Sequence, residues 1–349
     1  MFFSIFILFL PYIYAFQKCP KYSSIPPIYT TKKSEDFSTK FVYFQKLIRA
    51  ESILPTSLIC FTGGFIMNPS VIGLLQTPSF LISTVNILAI MSSSMIVNDI
   101  CDRKLDIIDH PDRPLVNGDI SIIEAFGFLF GLLSTVEFLN VRFLPDNLQT
   151  IFHLAIVNIL LYTPIYKKIP FIKNIFCAGM VAFSVFVSGL SACKGLMILN
   201  PGFSIFSVAL YVVFLGSWYS EVLLDMGDME GDRENRIYTV PVLYGLKKAW
   251  FFSGFLLFFN IVSNTLSISY LFSSSATGLI LPLIFSPIVY DYLSISRDSF
   301  STKSVKHAVK NTRMPLFLFV IYLCGLSSGF SISLGKDIHW LDIATTVFL

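Results

Sequence analysis

Charge is what this chain lacks most. Only 13% of its 349 residues are charged, against about 25% in ordinary soluble domains, and 54% are hydrophobic, so the chain is excluded from the ordinary soluble class. Paired metal-binding cysteines are absent too. The six cysteines (Cys19, Cys60, Cys101, Cys177, Cys193 and Cys324) are scattered, with no C-x-x-C pair and no nearby histidine, which argues against a zinc site or a disulfide framework. The four histidines are far apart and form no ligand set. A net charge of +3 without a concentrated basic tract gives no reason to expect a nucleic-acid partner.

What is present is apolar length. Nine segments of near-bilayer length can be marked, at about 53–76, 79–98, 120–143, 148–165, 174–193, 202–224, 249–272, 277–293 and 314–334. Basic residues test this division independently. With nine spans, 22 of the 25 Lys and Arg fall on one face, leaving only Arg142, Lys194 and Lys336 on the other, the asymmetry of a cytoplasmic or stromal side.

Ahead of these spans, residues 1–16 form an apolar leader of less than bilayer length. It reads as a cleavable signal region, with an uncleaved anchor as the alternative. Residues 17–39 are polar, rich in Ser, Thr, Lys and Pro and poor in acids. Together the two segments resemble the bipartite leaders of complex plastids; a secretory signal followed by a linker reads equally well. The membrane domain is expected over 40–335, with a short tail at 336–349.

The acids are concentrated. Asp99, Asp102, Asp106, Asp109 and Asp112 lie in one 14-residue stretch, and Glu221, Asp225, Asp228, Glu230, Asp232 and Glu234 in another. These hold 11 of the 22 acids, so they are not solvating charge spread along loops. In NDICDRKLD and DMGDMEGD the carboxylates recur at 99, 102, 106 and at 225, 228, 232, a spacing that puts each trio on one helix face. Like charges so placed repel, and more strongly where water is scarce, so a cation is expected between them. Magnesium fits, because it is usually held by one or two carboxylates together with phosphate oxygens; an EF-hand does not, since neither stretch has the twelve-residue loop and closing Glu. Two such clusters facing each other could hold a diphosphate through bridging metal. Arg103, Arg113, Lys167, Lys168 and Arg233 share these loops and could neutralise it. A transporter using intramembrane acids is the rival reading, disfavoured because the acids stand at helix ends and the span centres are largely uncharged.

The stretch NDICDRKLDIIDHPDRPLVNG resembles the first motif of the UbiA prenyltransferase family, N-D-x-x-D-x-x-x-D followed by R-P-x-x-x-G, and DMGDMEGDRENRIYTVPVLYG resembles its second. KLIRAE at 46–51 and the YTPIYKKIPFIKN segment at 162–174 are similar to further family segments. The resemblance spans about 40–335. It implies an all-α membrane bundle of nine helices around a central cavity, in which the two motifs grip a magnesium-bound prenyl diphosphate. By position it assigns Asn98, Asp99, Asp102, Asp106, Asp228 and Asp232 to metal, the five aspartates also being catalytic. Asn98 would also take part in the diphosphate site, Arg113, Lys167 and Lys168 would contact the diphosphate with Asp225 as a helper in substrate binding, and Arg49 would face the acceptor. The implied partners are a prenyl diphosphate of geranylgeranyl or phytyl class, a lipophilic or aromatic acceptor, and membrane lipid. The second motif with Lys168-Ile169-Pro170 and Asn174 is similar to branches that prenylate glycerol-phosphate lipids or homogentisate, whereas Ala249-Trp250 is similar to the chlorophyllide branch. The sequence departs from the family at Val116, Asn117 and Arg236, which bears on the capping loops and not on the carboxylates.

Overall fold

The computed structural model describes residues 37–336 apart from 164, 235 and 236. The leader and the C-terminal tail from 337 lie outside the described residues. The chain divides between Lys40 and Phe41, and every contact discussed below belongs to the part that begins at Phe41.

All regular structure among the described residues is helical. The principal helices are α1 (Phe37–Leu47), α2 (Ile53–Met67), α3 (Pro78–Asp109), α4 (Ile122–Phe143), α5 (Asp146–Tyr162), α6 (Ile172–Ala192), α7 (Phe203–Gly227), α8 (Met229–Glu234), α9 (Leu246–Leu271), α10 (Ser275–Arg297), α11 (Thr302–Asn311) and α12 (Arg313–Lys336). Eight stretches of the described chain are long and apolar enough to cross a membrane: seven hold α2, α3, α4, α6, α7, α9 and α10, and the eighth runs from α11 into α12. The ninth expected segment, 148–165, is α5, whose 17 residues extend about 26 Å, at the short end of what spans a bilayer.

Packing partners close a circuit in which α2 lies against α6, α6 against α7, α7 against α9, α9 against α10, α10 against α12 and α12 against α2. On one side α3 packs on α6 and carries α4 and α5. With lipid in place of water outside, close packing and hydrogen bonding must hold such helices together. At the α2–α6 crossing, a Cβ on Gly63 would collide with the Val185 carbonyl and Ser188 Oγ, so glycine is what lets the two backbones approach. A second device joins α9 to α10: Trp250 and Tyr292 stack at 4.8 Å, while Trp250 Nε1 donates to the Tyr292 carbonyl and Tyr292 Oη to that of Trp250, both at 3.1 Å. Inside the circuit, Ile59, Thr62, Val185, Val213, Phe319 and Leu323 line a small apolar cavity.

Both acidic stretches sit at chain reversals of this bundle. Helix α3 has 32 residues, about 48 Å, which outruns the roughly 30 Å hydrocarbon core. Its last turns, with the first motif, therefore stand clear of the apolar span. Pro111, which disfavours helical backbone in the residue before it, explains why α3 ends at Asp109, with His110 already out of the helical region at φ −141°, ψ 62°.

Candidate active site

Three aspartates of the first motif sit on successive turns of α3, and all three pair with cations from outside that helix: Arg113, Arg49 and Lys167. Asp99 and Asp106 are almost fully buried. Arg113 bridges them, with Nη1 at 2.8 Å from Asp99 Oδ1 and 2.5 Å from Asp106 Oδ2. Local structure fixes that guanidinium. Arg113 precedes a short helical turn, Pro114–Asn117, which starts on proline and ends at Gly118 with φ +76°, a left-handed conformation that glycine adopts without strain. Arg103 Nε donates to the Leu115 carbonyl at 3.0 Å and so ties this turn to α3. Arg103 thus acts on the capping loop.

Arg49 approaches from the opposite flank, Nη2 lying 3.4 Å from Asp99 Oδ1. It holds a left-handed backbone, φ +51°, just before a single 3-10 turn over Ala50–Ser52. Lys167, on the 3-10 turn Tyr166–Lys168, pairs with Asp102. Lys168 shares that turn. Asn98 and Asp102 are half-buried.

The second motif departs from the single helix face its spacing predicts. Helix α7 stops at Gly227, Asp228 is its C-cap at φ −106°, ψ 10°, and Asp232 belongs to the separate helix α8. Helical spacing is a property of unbroken helix, and Gly227 marks where α7 ends. The break turns α8 toward α3, against which it packs; this contact joins the two motifs. Asp225, still on α7 and buried, is held by Lys173 and by Asn174 Nδ2, the latter at 2.8 Å from Asp225 Oδ2. Lys173 and Asn174, from the first turn of α6, are functional candidates the sequence reading did not assign a role. A lysine and an asparagine opening an otherwise apolar helix were the available signal.

Burial raises the Asp106 carboxyl to about 6, the Arg113 charge pulling the other way without offsetting it. Asp232 is likewise pushed to about 6 by burial, against the attraction of Lys173, with Asp225 and Asp228 adding to the rise. Each carboxylate is short of positive charge in its pocket. Asp232 Oδ2 is buried and has no hydrogen-bond partner among the described residues, an expensive arrangement unless a cation or donor completes it. Among the described residues no three acidic, histidine or cysteine side chains converge closely enough to form a metal site by themselves. An all-oxygen set of paired and single carboxylates with one unsatisfied buried oxygen is the donor chemistry of a hard divalent ion whose shell a phosphate completes.

Comparison with known proteins agrees with this geometry. The UbiA prenyltransferase family profile matches residues 57–321. A digeranylgeranylglyceryl phosphate synthase from Methanococcus maripaludis is 26% identical over 281 residues, 80% of this chain and 95% of the relative. One from Methanocaldococcus jannaschii is 31% identical over 235 residues, covering 66% and 77%. Among solved structures, a digeranylgeranylglyceryl phosphate synthase superposes with a TM-score of 0.61 at 23% identity, covering 82% of this chain and 98% of its own. A UbiA homologue from Archaeoglobus fulgidus bound to GPP and Mg2+ gives 0.59 at 18% identity, covering 82% and 99%.

Proposed function

This chain belongs to the UbiA prenyltransferase family, and from that premise we propose that it transfers a prenyl group of geranylgeranyl class from its diphosphate to the free hydroxyl of a glycerol-phosphate lipid. The observation that carries the reading is the convergence of α3, the α5–α6 turn, and the α7–α8 junction on one end of the bundle. It gathers six aspartates, Asp99, Asp102, Asp106, Asp225, Asp228 and Asp232, with Arg113, Lys167 and Lys173. Relatives named digeranylgeranylglyceryl phosphate synthase favour the glycerol-phosphate acceptor over homogentisate or chlorophyllide. That preference is separate from the leader, for which a plastid address remains part of the proposal and is tested by a reporter fusion.

Asn98, Asp99, Asp102 and Asp106 on one side, and Asp228 and Asp232 on the other, would hold Mg2+. When bound, it supplies Lewis-acid stabilisation of the departing diphosphate. Arg113, Lys167, Lys168 and Lys173 are the cations available to share the diphosphate charge, with Asp225 orienting Lys173. Arg49 lies beside Asp99, where it can meet a phosphate-bearing acceptor. In the transfer, the prenyl C1–O bond breaks with its electron pair leaving on the diphosphate. The acceptor oxygen then bonds to C1 and sheds its proton. The apolar interior beneath the motifs limits capture of the allylic cation by water.

Membranes containing the protein, given Mg2+, radiolabelled geranylgeranyl diphosphate and a panel of glycerol-phosphate, homogentisate and chlorophyllide acceptors, test the reading. A labelled ether lipid formed only from the glycerol-phosphate acceptor is expected. Labelled aromatic or tetrapyrrole product in its place would move the chain to another branch of the family.

A further inference from the structure

Three carboxylates of the second acidic stretch, Glu221, Glu230 and Glu234, are left over by the metal and diphosphate assignments, and of these Glu221 alone lies on α7. Glu221 lies within the last two turns of an apolar span, on α7, where an ionisable side chain is costly and signals function more often than packing. It is four residues before Asp225, hence on the same helix face and about 6 Å deeper in the membrane. The facing helix α6 repeats the interval, with Lys173 opposite Asp225 and Cys177, one turn deeper, beside Glu221. The Cys177 thiol in turn donates to Tyr162 Oη at 3.0 Å. Glu221 keeps accessible surface where Asp225 is buried, and no cation lies within ion-pair distance of it among the described residues. Cys177 lies within hydrogen-bond reach of it and Lys173 attracts it from beyond ion-pair distance, so it is not one half of a fixed ion pair.

We propose that Glu221 is the general base of the reaction, a catalytic residue that takes the proton from the acceptor nucleophile. This rests on the prenyltransferase reading of the same site. The upper level, Asp225 with Lys173 and Asn174, stands where the diphosphate is expected; the carbon bonded to that diphosphate hangs one level lower, which is where Glu221 projects. As the prenyl C1–O bond breaks and its electrons leave with the diphosphate, the acceptor hydroxyl oxygen bonds to C1. The O–H electron pair stays on that oxygen and the proton passes to a Glu221 carboxylate oxygen, from which it is lost after product release. A base placed here acts on the capture of the cation and not on its formation, which distinguishes it from every motif aspartate.

The test compares wild type and Glu221→Gln in membranes with Mg2+, geranylgeranyl diphosphate and geranylgeranylglyceryl phosphate, measuring ether lipid, free diphosphate and geranylgeraniol together. The variant is expected to lose at least thirtyfold in ether formation, with little change in donor KM, and to divert cleaved donor to the alcohol. Ether formation within threefold of wild type would overturn the proposal. So would a parallel loss of ether and cleavage with a raised donor KM, which would assign Glu221 to diphosphate binding. Wild-type enzyme supplies a measurement independent of any folding defect: acidification should lower the ratio of ether to alcohol, and a ratio constant with pH contradicts a carboxylate base. If wild type shows no Mg2+-dependent cleavage of the donor, the underlying reading of the site fails, a result distinct from either outcome above.

Discussion

At the scale of the residue, burial and charge decide which side chains can act. Among the described residues Arg113 alone bridges Asp99 and Asp106, and removing one partner of a buried pair leaves an uncompensated charge that costs about 3–5 kcal/mol. Arg113→Leu should accordingly lower thermal stability in detergent and raise donor KM by tenfold or more. An unchanged melting temperature with unchanged KM would show that the bridge neither holds the first motif nor meets substrate. The first motif was legible in sequence because its intervals of three and four residues survive intact on one continuous helix. Lys173 was legible only as one more membrane-flanking base. What singles it out, the buried Asp225 and Asn174 around it, is a contact across 51 to 52 positions of chain that no local pattern records.

At the scale of the element, the capping turn is a separable part. Gly118 has φ +76° and nothing within 4 Å of where a Cβ would stand, so Gly118→Ala tests backbone conformation alone, at about 1–2 kcal/mol. The expected result is a modest loss of stability with a severalfold loss of transfer, partly recovered by Gly118→Asn, since asparagine tolerates the left-handed region better. Full activity in the alanine variant would mean that the turn does not position Arg113. Elements also show where sequence patterning reaches its limit. The apolar runs located the spans because bilayer thickness dictates their length. The i, i+3, i+7 pattern at 225, 228 and 232 predicted one helix, and the break after Gly227 instead sends Asp232 onto α8 and toward α3. A glycine inside a motif leaves open whether the helix ends there; the packing of α8 on α3 supplies the answer.

At the scale of the whole molecule, the account requires both motifs on one side of the membrane, opposite the loops at Asp146 and Lys194. Asp112, Glu234, Asp146 and Lys194 are all exposed, so single cysteines at these positions should label in two groups, 112 with 234 and 146 with 194. Labelling of 112 and 234 from opposite faces would contradict the arrangement. The family match begins at residue 57 and the contacts of the site begin at Arg49, so a protein starting at Phe41 should keep its activity in isolated membranes. Loss of activity on that truncation would place the leader within the enzyme.

The central claim is that two acidic motifs, brought together by the contact of α8 with α3, act as one metal-dependent diphosphate site. It is tested most directly by the rate of Mg2+-dependent cleavage of radiolabelled geranylgeranyl diphosphate in wild type, Asp102→Ala and Asp232→Ala, inserted in membranes to equal amounts. Each variant alone is predicted to lose more than a hundredfold, because each removes a ligand from a shared site while leaving the apolar packing untouched; a rate within threefold of wild type in either one would contradict it.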